Sequence, residues 1–173
     1  MNNKNYFKNS NKYAEVAAAQ ITKYLETTGW TVTNVECDKA YQELDIDLVV
    51  EKDGETFTIE IKADNYGAKT ANYFCETISN TSKNTLGCFY ATQSNYIFYY
   101  FLDTFELHVI PTADAQEWLK ANESLYRTHS VKTTGANGEY WYSNQGRLVN
   151  RTDLQNAVDV QIIDFRNYLN MAS

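Results

Sequence analysis

The chain has 173 residues (19.9 kDa), 43% of them hydrophobic and 21% charged, which fits one domain with a proper core and excludes a disordered chain. No apolar run approaches the roughly 18 residues of a membrane span, and the polar N-terminus leads into no signal-peptide core. Three cysteines (Cys37, Cys75, Cys88) form an odd, widely spaced set that suggests neither a disulfide framework nor a zinc knuckle, so reduced thiols in a cytoplasmic protein are expected. The net charge of −7 is localised: residues 36–64 hold ten acids against three lysines, and the remainder of the chain is balanced. Such a segment is either a cation site or a deliberately anionic surface.

In chain order, residues 1–11 are Asn- and Lys-rich; with Lys12 they carry Lys4 and Lys8 and no acid, and read as a flexible basic lead-in. From 11 to 28, Tyr13, Ala17, Ile21, Tyr24 and Leu25 recur at helical spacing, and Gly29 stops the helix. Residues 30–35 alternate and are rich in β-branched types, a strand. Two further alternating runs, 44–50 and 55–62, flank Asp53-Gly54, a strong signal for a two-residue hairpin turn. Residues 73–79 lean to strand, and 96–102 and 106–110 are strands with a turn at Asp103-Thr104. A helix is expected over 113–121 after Pro111, then a hairpin turning at Asn137-Gly138, then a helix from Thr152 or Asp153 to Leu169. The sum is one α/β domain over residues 1–173, with 122–173 as a C-terminal extension.

The hairpin is where chemistry is expected. With Asp53 and Gly54 as the loop, Lys52 pairs with Glu55, and counting outward puts Leu44, Ile46, Leu48 and Val50 on one face with Phe57, Ile59 and Ile61. On the other face Asp47 then stands opposite Glu60, and Asp45 opposite Lys62. Opposed carboxylates repel unless something binds them. A divalent cation does so, and Mg²⁺ suits one or two carboxylates while keeping positions for water and phosphate oxygen. Lys62 beside it would steady charge on a phosphate or act on an attacking water. Acid pair plus lysine is the minimum equipment for phosphodiester hydrolysis.

Asp47, a hairpin, then Glu60-Ile61-Lys62 resembles the PD-(D/E)XK nuclease superfamily, which includes restriction endonucleases, Holliday-junction resolvases and phage exonucleases. The helix before and the strand after fit its αβββαβ core. Asp47 to Lys62, residues 71–76 and the later aromatic strand look like small phage and prophage proteins of this type; the resemblance covers about residues 12–120. It implies a restriction-endonuclease-like fold with a mixed central sheet flanked by helices, and a Mg²⁺-dependent deoxyribonuclease in which Mn²⁺ can substitute. Asp47 and Glu60 would bind metal with the Ile61 carbonyl, Lys62 would be the catalytic lysine, and Glu15 a helix-borne acid of the metal site. Glu76 looks like a later acid of the narrower group, and pairing of two sites in a homodimer is common among such proteins.

Other readings compete. Asp45 with Lys62 reads as an exposed cross-strand ion pair, leaving Asp45 at most an accessory acid. Tyr96, Phe98, Tyr99, Tyr100 and Phe101 read as core rather than as a base-stacking surface, and His108 as structural. Phosphate contacts would fall to lysines such as Lys69 and Lys83. The rival function is a catalytically silent protein that presents its acidic segment, as a nucleic-acid mimic, to a basic host protein.

Overall fold

A computed structural model describes residues 3–134 and 139–169. The alanine-rich stretch around Ala14 to Ala19 favours helix, and a fully buried stripe of Ala17, Ile21 and Leu25 fixes its inner face. The result is α1 (Asn3–Thr27), which starts well before residue 11, so the expected flexible lead-in is helical from Asn3 onward. Its C-terminus is a Schellman cap: Gly29, at φ +90°, donates to Glu26, and Trp30 donates to Leu25.

After β1 (Thr31–Asn34) comes a short helix, α2 (Lys39–Gln42), whose N-terminus is capped by Asp38. The strand expected over 44–50 is shorter: β2 is Leu48–Lys52, and Leu44 and Asp45 lie in the turn after α2, with Asp45 at φ +51°. Asp53 and Gly54 take φ +51° and +84°, the two positive values a type I′ turn requires, and lead into β3 (Glu55–Asp64) in the counted register, Lys52↔Glu55 to Leu48↔Ile59. Then follow β4 (Asn72–Asn80), β5 (Thr85–Leu86), α3 (Cys88–Ala91), β6 (Tyr96–Phe101), β7 (Glu106–Pro111) and α4 (Thr112–Asn122). The C-terminal part is β8 (Thr128–Thr134), β9 (Tyr140–Asn150), α5 (Arg151–Ala157), β10 (Gln161–Asp164) and α6 (Arg166–Leu169). The single last helix expected from 152 to 169 is thus broken into helix, strand and helix. The turn expected at Asn137-Gly138 lies outside the described residues.

Among the described residues the strands form two sheets. The larger has the order β1-β2-β3-β6-β7-β10, antiparallel except for the central parallel pair β3–β6; the smaller is β5-β4-β9-β8. The connection from β3 to β6 is therefore made by two strands of the second sheet, β4 and β5, and the four-residue α3, where the expected core order has a helix. β6 shows why the large sheet needs cover on both faces. Phe98 and Tyr100 join α1 residues in one core, while Ile97, Tyr99 and Phe101 join Tyr73, Cys75 and Val149 of the second sheet with Ala115, Leu119 and Leu154 of α4 and α5. The aromatic strand is core, as its alternation implied. No described helix is long and apolar enough to cross a membrane.

His108 of β7 ties the layers together. Its ring is 2% exposed, and Nδ1 shares a hydrogen bond with the Tyr73 hydroxyl of β4 at 2.6 Å. Burial first, and the Arg151 charge second, lower its pKa from 6.5 to about 4. A neutral buried imidazole stabilises the fold fully above pH 6.5, and that contribution is lost as pH falls from 6.5 toward 4, by roughly 3 kcal/mol at one unit per ~1.4 kcal/mol. Urea unfolding of the wild type and of His108→Gln at pH 7 and pH 4.5 should show the gap between the two proteins narrowing at the lower pH. A gap that does not change would mean the imidazole titrates normally in the fold.

Candidate active site

The β2–β3 ladder ends at Leu48↔Ile59. Asp47, next in the count toward Glu60, instead donates its N–H to the Ile59 carbonyl at 2.9 Å, and its Oδ2 accepts the N–H of Ile61 at 2.7 Å. A side chain thereby replaces the backbone partner that β2 no longer supplies. Asp47 brackets Glu60 through both of its neighbours, so the two are not a cross-strand pair of the ladder as counted, although their charges still interact.

Glu60 and Lys62 lie beside Ile97 and Tyr99 of β6, on the face away from α1. Glu60 is 5% exposed, and its Oε1 lies 2.7 Å from Lys62 Nζ. Lys62 is therefore paired with its strand neighbour, not with Asp45 as the hairpin count implied. Burial raises the Glu60 carboxyl to about 8; Lys62 pulls it down, and the charges of Asp47 and Asp45 push it up. Burial also works against the charge on Lys62, but Cys88, Glu60 and Glu76 outweigh it and hold the ammonium above its usual range. Burial in turn pushes the Cys88 thiol up, with the Lys62 charge opposing it. Asp45, half-buried, is raised by its own burial, with Lys62 opposing and Asp47 adding to the shift.

Where β2 stops, a cavity of about 340 Å³ opens beside α1 at the uncovered edge of β3, where residues from both faces of that strand line it. Its lining includes Glu15, Glu36, Asp47, Glu60, Ile61 and Lys62. Four of the residues singled out from the sequence for chemistry thus share one cavity, with Ile61 between Glu60 and Lys62. Glu76 approaches from β4: its Oε2 accepts the Asn144 side-chain amide of β9. Gly87 allows this approach, since a Cβ there would sit 2.5 Å from the Glu76 carbonyl oxygen. Gly87, Cys88 and Asn144 carried no signal in the sequence, because only the pairing of β4 with β9 and the start of α3 bring them here. Lys69 and Lys83 do not line the cavity; Lys69 packs over the Tyr66 ring at 5.4 Å, and Lys83 is exposed in the β4–β5 turn.

The donors are hard oxygens suited to Mg²⁺ or Mn²⁺. Asp47 Oδ2 and Glu60 Oε1 are committed within the fold, which leaves Asp47 Oδ1 and Glu60 Oε2 for a cation. Among the described residues no three His, Cys, Asp or Glu side chains converge closely enough to hold a metal ion between them. No family model matches this chain, and no curated protein or solved structure is detectably similar to it.

Replacing Lys62 by Met leaves Glu60 buried without its cation. A carboxyl with a raised pKa favours the fold below about pH 4.5 and loses that contribution as pH rises through its folded value. Lys62→Met should therefore unfold near the wild-type urea midpoint at pH 5 and lose about 1–3 kcal/mol by pH 9, with Glu60→Gln restoring it. An equal loss at both pH values would show that Lys62 acts through packing alone.

Proposed function

We propose that this chain is a divalent-metal-dependent deoxyribonuclease on a restriction-endonuclease-like plan. The observation that carries the reading is the single cavity shared by Glu15, Asp47, Glu60, Ile61 and Lys62. The β1-β2-β3 meander with β6 parallel to β3, and α1 packed beside it, supports the same plan.

Asp47 Oδ1 and Glu60 Oε2 would hold the cation, with the Ile61 carbonyl and Glu15 at its side. Two carboxylates suffice for Mg²⁺, which takes its remaining ligands from water and phosphate. The chemistry a bound cation supplies is polarisation of the phosphodiester and acidification of a coordinated water. Glu60 holds its proton up to about pH 8, so its carboxylate becomes a ligand more readily as pH rises. The charges around Lys62 favour its ammonium, which suits it to stabilising negative charge on the phosphate. Buried Glu60 fixes where that ammonium points.

A second reading has an observation of its own. Asp47 and Glu60 are each satisfied inside the fold, and Glu36, Asp38, Glu43, Glu51, Asp53 and Glu55 are all exposed. A catalytically silent protein that presents this acidic surface to a basic partner needs nothing more.

Incubation with single-stranded, duplex and branched DNA in Mg²⁺, Mn²⁺ or EDTA separates the two. The nuclease reading expects metal-dependent cleavage that Lys62→Ala reduces by at least about 100-fold. A folded wild-type protein that cleaves none of these and takes up no Mn²⁺ by calorimetry would leave the acidic-surface reading.

A further inference from the structure

The C-terminal extension meets the candidate site through Asn144 of β9. Glu76 of β4 pairs with Gly146, and Asn144 lies two residues further along β9, on the face that Glu76 shares. A Cβ at Gly146 would sit 2.6 Å from the Phe74 ring, so that ring fills the space above the glycine, and Glu76 bonds diagonally across the sheet to the Asn144 amide. β4 bulges at this point. Glu76 pairs with Gly146 and Ile78 with Gln145, which makes Thr77 one residue in excess. Bulges re-aim side chains and recur beside active sites. The Thr77 carbonyl accepts the N–H of Gly87 at 2.9 Å, which holds the bulge against the start of α3.

Asn144 does little for the fold itself. Its Oδ1 is buried and accepts no hydrogen bond among the described residues. Turning the amide over would not relieve this, because Oδ1 would then face the Glu76 carboxylate, which has no proton to donate when ionised. A buried acceptor left unpaired is destabilising, and an apolar residue of similar volume at that position avoids the penalty. What Asn144 does is fix a carboxylate. The Glu76 side chain lies against Gly87, where a Cβ would come within 2.8 Å of its Cγ, and Cys88 is the next residue.

Lys62 thus answers to two acids, Glu60 of its own strand at 2.7 Å and Glu76 of the second sheet, whose charge reaches it across the layers. A lysine stem is flexible, and a single ion pair leaves the ammonium free to pivot about its partner. A second acid, itself held in place, removes that freedom, and a reacting group is useful only when its supporting contacts lock its direction. We propose that Asn144 is a positioning residue of the candidate site: by holding Glu76 on the bulge of β4, it fixes the direction in which Lys62 presents its ammonium. The C-terminal extension then completes the site that the hairpin begins. The inference deepens the nuclease reading by giving residues 122–173 a part in it, and rests on that reading only for the effect on cleavage.

The test compares Asn144→Leu, which keeps the volume and removes the bond, with Glu76→Gln, which keeps the shape and removes the charge. In protein carrying isotope-labelled lysine, the Lys62 ammonium resonance is the one that Lys62→Met removes, and its proton exchange with water reports how firmly the group is held. The wild type should show that resonance as a distinct, slowly exchanging signal. Both variants should shift it and speed its exchange by about tenfold or more, and in Mg²⁺ both should lower kcat for DNA cleavage by a similar factor with KM unchanged. Asn144→Leu should meanwhile unfold in urea at or above the wild-type midpoint. A Lys62 signal that is absent from the wild type, or unmoved in Asn144→Leu, overturns the inference. So does an Asn144→Leu protein that is destabilised or fails to fold, which assigns Asn144 to the fold. Cleavage that Lys62→Met abolishes and both variants retain in full overturns it and leaves the nuclease reading standing. A moved signal in both variants of a protein that cleaves no DNA supports the positioning and removes the nuclease.

Discussion

β3 has ten residues and its antiparallel partner β2 has five, and the consequences of that mismatch run through the molecule. Beyond Ile59 the β2-facing edge of β3 has no strand beside it, and a buried backbone N–H without a partner is costly. Asp47 meets that demand with its carboxylate, which fixes its position to within a hydrogen bond of Ile61. The same gap admits solvent between α1 and the end of β3. One unfilled stretch of sheet edge thus creates the cavity and also places an acid in its wall.

The parallel pairing of β3 with β6 supplies the rest. A central strand covered on both faces is expected to be apolar throughout, as β6 is. β3 departs from that rule at Glu60 and Lys62, which take buried or half-buried positions next to Ile97 and Tyr99. A buried ion pair is weak evidence for stability, since apolar residues of similar volume usually serve the fold as well. Charges kept at such positions are better explained by what they do to each other. The carboxyl is pushed up to about 8, a state that a solvated carboxylate would not take, beside an amine that stays an ammonium.

Much of this was legible in the sequence, and the limits have physical causes. The type I′ signal at Asp53-Gly54 and the alternation around it gave the register of the hairpin correctly from Lys52 to Leu48, because turn chemistry and side-chain period agree there. Past Leu48 the same counting failed. Alternation continues through Leu44, but the chain leaves the sheet by a positive-φ turn at Asp45, a conformation that local pattern does not announce for a non-glycine residue. Glu76 stood out in the sequence only by resemblance; Asn144 did not, since it meets Glu76 through a pairing between segments nearly 70 residues apart, and Gly87 and Cys88 reach it only through the turn back from β5 into α3. The break in the last helix, at Val158 to Val160, reflects tertiary demand: Ile162 and Ile163 complete the edge of the large sheet against β7.

Net charge is a poor guide to partners when charge is segregated this strongly. The Asp53–Gly54 turn and Lys62 lie at opposite ends of β3, about 25–30 Å apart at strand spacing, several Debye lengths at physiological salt. Exposed acids at that turn therefore do little to the electrostatics around Lys62. Glu36, which lines the cavity, and Glu76 do act there, and they act in a direction that favours cations. An anionic strand can share that space only if positive charge is brought with it. On the proposed nuclease reading, Lys62 supplies one such charge from within the fold, and a divalent cation would supply two more.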